Sequence, residues 1–300
     1  MFIIKTLPDL EDITIVETKN KAKKILPQTL EIEKLQKLNT ITNSYKLLKK
    51  FKFKEIEDIP KQIEKLDLNL NDFKIICKRI GKHKFSSQDI REIVTKTLCE
   101  KYKTVPNYKE PKNEIFIDLV NNNCLVGLEP KTDLCKRQYK VRTSNNSLNS
   151  CLASALLIMA DYNPKQALLD PFCSDGVIAI EAALKKGKVN AFDPKQTNLF
   201  NAKLNSQVAN VKINFEIKES TQIITQLPFI SKRANPRIIE KQLIEFLELT
   251  KAAKSITIIT QKTILLEKLM EDYPLKISKK RKVLIGEQKY VILWIKKKTN

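Results

Sequence analysis

Two hydrophobic rhythms divide this chain of 300 residues. Through the first half, short alternating runs mix with helical spacings, the pattern of small α+β units. Residues 2–6 alternate as a strand, and Pro8-Asp9-Leu10-Glu11-Asp12-Ile13 reads as a turn or the start of a helix. Leu30–Leu38 is ambiguous: Leu30 and Ile32 sit at strand spacing, while Ile32, Leu35 and Leu38 recur every third residue. Ser44–Phe51 predicts a short amphipathic helix with lysines on its wet side. Another helix starts at Ile59-Pro60 and runs through Ile63 and Leu66. Asp72–Arg79 predicts a strand, broken by Gly81. Ser86-Ser87-Gln88-Asp89 then opens a helix, with Ser86 as its cap and Asp89 suited to the positive end of its dipole. Glu114–Val120, Asn121-Asn122-Asn123 and Cys124–Leu128 form strand, turn and return strand.

From Gln166 the pattern becomes regular strand–helix alternation, which predicts a doubly wound α/β sheet. A helix over Ser147–Ala160 leads in. Ala167–Phe172 is the first strand, Gly176–Lys186 its helix, and Val189–Pro194 the second strand. Then come a helix (Leu199–Val208), strands over Val211–Ile217 and Gln222–Thr225, a helix (Ile238–Leu249), a strand (Ser255–Thr260) and a helix (Leu265–Met270). Leu275–Ile285 and Lys289–Ile295 close the chain as a hairpin. An antiparallel final strand marks a class I methyltransferase rather than an NAD-binding fold, and so points to S-adenosylmethionine.

The stretch Leu168–Glu181 holds the densest candidate chemistry. An apolar strand ends at Asp170-Pro171, a short polar turn follows, and a buried helix begins after Gly176. Strand, tight turn and helix bring a nucleotide-like ligand against backbone N–H groups at a helix N-terminus. Asp193 stands 18 residues beyond Asp175, at the carboxyl end of the second strand, where an acidic side chain accepts hydrogen bonds from a ribose diol. Pro194 forces Asp193 into an extended conformation.

Charge changes the picture of partners. Lys and Arg number 55 against 34 Asp and Glu, a net charge of +21, which points to a polyanion, with nucleic acid the first candidate. Six scattered cysteines and a single histidine give no metal-ligand spacing, so no metal is expected and the thiols are expected reduced and mostly buried. No apolar run is long enough to cross a bilayer and no signal-peptide core follows Met1-Phe2-Ile3-Ile4, so no membrane contact is expected and the cytoplasm is the expected compartment. A protein partner is not indicated.

Lys78-Arg79-Ile80-Gly81-Lys82-His83-Lys84-Phe85-Ser86-Ser87-Gln88-Asp89, continued by the 114–128 hairpin, resembles a THUMP domain, a tRNA-binding module. Leu7–Ile13 resembles the ferredoxin-like unit that precedes THUMP in tRNA-modifying enzymes. The resemblance implies that Lys78, Arg79, Lys82, His83 and Lys84 face RNA phosphates, as their charge permits. Basic Lys136-Arg137-Gln138-Tyr139 resembles the Lys-Arg-x-Tyr segment that precedes the catalytic domain in THUMP methyltransferases, and implies RNA contact for Lys136 and Arg137.

Residues 168–181 resemble the Asp-Pro-Phe-Cys-Gly-Ser-Gly-Thr signature of those enzymes, and Gln226-Leu227-Pro228-Phe229 their (Asp/Asn)-Leu-Pro-Phe motif; Ser231-Lys232-Arg233 resembles the basic residues after it. The branch most similar is the one that methylates N2 of a tRNA guanine. The implied fold is α/β: a C-terminal class I methyltransferase preceded by an α+β ferredoxin-like and THUMP region. The implied segments are 1–65 (ferredoxin-like), 66–130 (THUMP), 131–146 (linker) and 147–300 (Rossmann-like). S-adenosylmethionine is then the implied cofactor, held at Asp170, Phe172, Cys173, Ser174, Asp175, Gly176 and Asp193. Gln226, Pro228 and Phe229 are the implied catalytic residues.

The motifs also depart from the family pattern. Gln226 stands for Asp or Asn, Ile230 for glycine, Ser174 for the first loop glycine, Asp175 for serine and Val177 for threonine. Two readings stay open: an active tRNA guanine-N2 methyltransferase, or a catalytically weak or inactive relative that serves as an RNA-binding module or partner subunit.

Overall fold

The computed structural model describes residues 1–228 and 235–298. The chain forms two compact units, one of Met1–Thr6, Thr18–Lys37 and Ile41–Asp133, the other of Leu7–Glu17, Leu38–Thr40 and Leu134–Asn300. In chain order, the first 131 residues form β1 (Phe2–Thr6), α1 (Glu11–Glu17), β2 (Lys23–Leu26), β3 (Thr29–Ile32), β4 (Ile41–Lys52), α2 (Asp58–Glu64) and β5 (Asp72–Ile80). They continue with α3 (Ser87–Tyr102), β6 (Val105–Pro106), β7 (Asn113–Val120) and β8 (Asn123–Lys131).

The first unit is built on one eight-stranded sheet in the order β2-β3-β1-β4-β8-β7-β5-β6, so a single sheet spans residues of both the 1–65 and 66–130 segments. Alternation along β5 and β7 sorts side chains between its two faces. Phe73, Ile75, Ile115 and Ile117 meet Ile59 and Ile63 of α2 and Ile90, Val94 and Leu98 of α3 in one core. Phe116 points the other way, into a cluster with Ile3, Tyr45 and Leu125. The Ser86 hydroxyl caps α3 as expected, accepting from the Gln88 and Asp89 N–H groups, while Asp89 accepts the Ser86 N–H at 2.7 Å.

Ser44–Phe51 is a strand, not the expected helix: it forms most of β4, paired to β1 on one side and β8 on the other. Lys46, Leu48, Lys50 and Lys52 alternate outward, and Tyr45 is buried against Phe116 at 4.8 Å between ring centroids. Two neighbouring strands satisfy the β4 backbone, and that tertiary pairing overrides local helical spacing. The ambiguous Leu30–Leu38 stretch resolves into β3, which stops at Ile32.

The second unit adds α4 (Ser150–Met159), β9 (Leu168–Asp170), α5 (Val177–Leu184), β10 (Val189–Ala191), α6 (Gln196–Val208), β11 (Gln222–Gln226) and α7 (Pro236–Leu249). It ends with β12 (Ser255–Thr260), α8 (Ile264–Leu269), β13 (Leu275–Ile285) and β14 (Gln288–Lys297). Its six-stranded sheet runs β10-β9-β11-β12-β14-β13. The first four strands are parallel and β14 is antiparallel to both β12 and β13, as the hairpin pattern predicts.

Val211–Ile217 is not the expected strand. It keeps one parallel bridge, between Asn190 and Asn214, beside the three-residue β10, while Val211, Ile213 and Phe215 still pack against the core. Cys135 and Cys151 are joined by a disulfide, which corrects the expectation of reduced thiols for that pair; Cys77, Cys99, Cys124 and Cys173 are free. Helix α1 belongs to this unit: Asp12 takes a two-pronged contact from Arg281 at 2.7 and 2.8 Å. No helix among the described residues is long and apolar enough to cross a membrane.

Within the first unit, Lys5 of β1 and Asp118 of β7 form a buried ion pair at 2.7 Å, with side chains 6% and 1% exposed. Tyr45 also donates to Asp118 at 3.0 Å, and Lys5 to Thr29 at 2.7 Å. Asp118→Ala leaves the ammonium buried without its counter-charge and is expected to lower stability by about 3–5 kcal/mol. Urea unfolding checks this; a loss below about 1 kcal/mol would contradict it.

Candidate functional site

Strand order places the site before any side chain is considered. From β9 the chain moves to β10 on one side and later returns to β11 on the other, so the order reverses between β9 and β11. Crevices at such points, outside the carboxyl ends of parallel strands, are where open α/β sheets bind ligands. A cleft of about 570 Å³ opens there, floored by Gln226, Leu227 and Pro228 and walled by Ser144–Ser147, Lys195, Asn198, Thr260–Lys262, Gln288 and Tyr290. A compartment of about 150 Å³ shares the Gln226–Pro228 floor and adds Phe172, Ser174 and Asp193.

The turn after β9 is held by backbone and by one carboxylate. Cys173 N–H donates to Phe192 O at 2.8 Å, and Gly176 N–H to Cys173 O at 2.7 Å. Asp193 accepts the Ser174 N–H at 2.9 Å through one oxygen; the other accepts Lys195 N–H at 2.9 Å and the Asn198 side-chain amide at 3.1 Å. Ser174 takes a left-handed φ of 54°, so a non-glycine residue occupies a conformation that usually selects glycine. The Ser174 hydroxyl is bonded to that of Ser144. Gly176 (φ 87°) is the glycine that position requires: an added Cβ would meet Ala202 of α6 at 3.1 Å.

Three buried carboxylates gather here. Asp170 is fully buried, accepts the Thr225 hydroxyl at 2.6 Å, and leaves its other oxygen without a partner. Burial pushes its pKa up to about 7, with the nearby Asp193 charge adding to the rise and Thr225 opposing it. Asp175 is also fully buried and neither oxygen makes a well-formed hydrogen bond. Burial raises its pKa, and the Ser147 hydroxyl and the Lys140 charge offset part of that rise. Burial likewise pushes the Cys173 thiol well above its usual range, helped by the Asp170 charge, so it is an inert neighbour rather than a nucleophile.

Of the expected cofactor residues, Phe172, Ser174 and Asp193 reach the small compartment; Asp170, Cys173, Asp175 and Gly176 lie behind it and shape the turn. Gln226 and Pro228 line both spaces. Phe229, with Ser231-Lys232-Arg233, lies outside the described residues. Among the described residues no cluster of His, Cys, Asp or Glu is placed to hold a metal ion.

The basic residues differ in what holds them. Arg137 is turned inward: its Nε donates to buried Glu181 at 2.9 Å, Nη2 to Asn39 O at 2.7 Å, and Nη1 to Leu134 O. Tyr139 donates to the same Glu181 oxygen at 2.8 Å, and Ser154 to the other at 2.5 Å. Arg137 therefore braces the segment before α4. Lys136 is exposed. In the first unit, Lys78 faces Asp133 at 3.4 Å, Arg79 donates to Ser87 at 3.1 Å and to Phe85 O, and His83 pairs with Asn121 O at 2.8 Å while its ring lies 5.2 Å from Phe85. Lys82 and Lys84 are exposed.

Sequence reasoning missed Asn205, fully buried on α6, whose amide donates to Asp175 O at 2.9 Å and Arg142 O at 2.7 Å. Asn198 and Asn205 lie seven residues apart on one helix face, and that spacing was the available signal.

Two protein families match parts of the chain: the THUMP domain over residues 51–129 and an "RMKL-like, methyltransferase domain" over residues 137–195. Curated relatives include a tRNA (guanine(6)-N2)-methyltransferase of Methanocaldococcus jannaschii, 29% identical over 147 residues. That match covers 45% of this chain and 39% of the relative. A protein of the same name from Thermus thermophilus is 30% identical over 38% of this chain and 34% of its own length. The chain thus spans well under half the length of these relatives. The crystal structure of TrmN from Thermus thermophilus superposes with a TM-score of 0.79 over 99% of both chains at 20% identity, so the two chains share one fold.

The Asp170 environment has a measurable consequence. With a folded pKa near 7 against an ordinary 3.8, the folded state keeps a proton that the unfolded chain has lost between those values. Its contribution to stability is full below the lower value and disappears as pH rises through the upper one. Urea unfolding at about pH 5 and about pH 7.5 should show wild-type stability falling with pH, and Asp170→Asn should flatten the fall. Equal slopes in both proteins would contradict the assignment.

Proposed function

We propose that this chain, which joins a THUMP domain to an RMKL-like methyltransferase domain, transfers a methyl group from S-adenosylmethionine to N2 of a tRNA guanine. One observation carries the reading: the Asp193-tied turn and the Gln226-Leu227-Pro228 turn converge on one cleft at the point where strand order reverses. In this reading residues 1–65 are the ferredoxin-like part, 66–130 the tRNA-binding THUMP part, 131–146 the link and 147–300 the catalytic part, and the protein acts in the cytoplasm.

The residues present fit the cofactor. Asp193 has accepted three hydrogen bonds, and a carboxylate has about four acceptor positions, so one is left for a ribose hydroxyl. Phe172 supplies an apolar wall and Ser174 and Asn198 polar ones. S-adenosylmethionine supplies the methyl group and its own leaving group, so the protein's task is alignment.

Gln226 is the residue placed to align. Its amide oxygen accepts an N–H of the guanine amine and orients the nitrogen lone pair, while Pro228 stiffens the turn and Phe229 stacks on the extruded base. Leu227 N–H is fixed on Ile259 O at 3.0 Å, which holds the turn in register with β12. Exposed Lys82, Lys84 and Lys136 take RNA phosphates; Lys78, Arg79, His83 and Arg137 keep their internal partners and shape the basic surface.

Calorimetric titration with S-adenosylmethionine should show binding that Asp193→Ala weakens by at least about tenfold, about 1.4 kcal/mol or more. Gln226→Ala should keep cofactor affinity within about twofold and slow methyl transfer to tRNA by about tenfold to a hundredfold. Unaltered transfer by Gln226→Ala would remove Gln226 from the mechanism, and no cofactor binding by wild type would remove the enzyme reading.

A further inference from the structure

The closing hairpin is longer than the sheet that supports it. The last β12–β14 pair is Thr260 with Val291, yet β14 begins at Gln288 and pairs with β13 as far as Ile285. The tip, from Val283 to Tyr290 with Gly286-Glu287 as its turn, therefore overhangs the cleft at the carboxyl end of β12. Gln288 and Tyr290 line the cleft, and a 2.5 Å hydrogen bond between them fixes their shared face.

Strand alternation sends the intervening residues the other way. Lys289 pairs across to Leu284, and Lys282 to Val291, so Lys282, Leu284 and Lys289 share the opposite face. Both lysines are exposed, as is Leu284 at 40%. Lys262, in the loop directly after β12, lines the cleft itself. Among the described residues no carboxylate pairs with these three ammonium groups, whereas Lys280 and Arg281 nearby are matched to Glu267 and Asp12. Residues 275–298 carry nine Lys and Arg against the single acid Glu287; α7 of the same unit mixes Arg237 and Lys241 with Glu240, Glu245 and Glu248.

Lysines on an edge strand have an ordinary purpose, to prevent pairing with another chain. That accounts for the lysines of β13, the sheet's outermost strand. It does not account for Lys262, which is on no strand and lines the cleft. Lys289 stands on the hairpin tip that overhangs the same cleft, on the face turned away from Gln288 and Tyr290.

We propose that Lys262, Lys282 and Lys289 form an RNA-gripping rim, in which the hairpin tip holds the phosphodiester backbone flanking the target base while Gln288 and Tyr290 face the base's cavity. This rests on the proposed RNA substrate and adds a grip inside the catalytic unit, separate from the THUMP domain.

The test measures binding of a tRNA transcript to the full chain at several salt concentrations. Lys262→Glu/Lys282→Glu/Lys289→Glu should weaken affinity at least about tenfold and lower the slope of log affinity against log salt by about 2, from about 0.7–0.9 per phosphate contact. The neutral triple, with Gln at the same positions, should fall between it and wild type, and guards against misfolding of the reversed one. Lys276→Glu/Lys296→Glu/Lys298→Glu changes charge equally at the far end of the hairpin and should stay within about twofold of wild type. Equal effects of the two reversed triples, or none from the rim triple, would overturn the rim while leaving the RNA reading intact. A wild-type chain that binds no tRNA would overturn both.

Discussion

Asp193 is the post to which the site is tied. This carboxylate, just beyond β10, accepts from the turn after β9 and from the start of α6 at Lys195 and Asn198, so one side chain joins the cofactor-loop turn to the helix that follows the second strand. Its grip on Ser174 N–H accompanies the left-handed backbone there, in a turn that has one glycine where its chemistry would favour more. Hydrogen bonds to a carboxylate are about twice as strong as neutral ones, which makes them suited to holding a strained residue in place.

Glu181 does the same work on the other side of the turn. Buried at the heart of α5, it gathers Arg137, Tyr139 and Ser154, and so fastens the basic segment before α4 to the helix that follows the cofactor turn. The disulfide of Cys135 with Cys151 closes the same stretch covalently. The loop that lines the cleft, Ser144–Ser147, is thereby anchored at both ends, and Asn205 ties its Arg142 end to Asp175. Preorganisation of this kind suits a reaction that needs alignment more than acid–base chemistry.

The second unit was legible because its signals are local. Apolar runs stop at Asp170, the last residue of β9, and at Asp193, two residues beyond β10, and both carboxylates meet the site. Two kinds of information were not local. Ser44–Phe51 reads as a helix until β1 and β8 flank it, since period alone cannot separate a lysine-studded strand from an amphipathic helix when both neighbours come from distant sequence. Arg137 reads as a surface cation until the position of Glu181, 44 residues away, is known. Val211–Ile217 has strand alternation but meets only the three-residue β10, and it keeps a single bridge. The cooperative features, Asn205 and the disulfide among them, depend on which segments the fold brings together.

We propose that the cleft between the Asp193-tied turn and the Gln226 turn performs guanine-N2 methylation. Incubation of an unmodified tRNA with the chain and methyl-deuterated S-adenosylmethionine, followed by digestion and mass spectrometry of the nucleosides, tests it most directly. The account predicts deuterated N2-methylguanosine. Label in a different nucleoside, or in none, would contradict it.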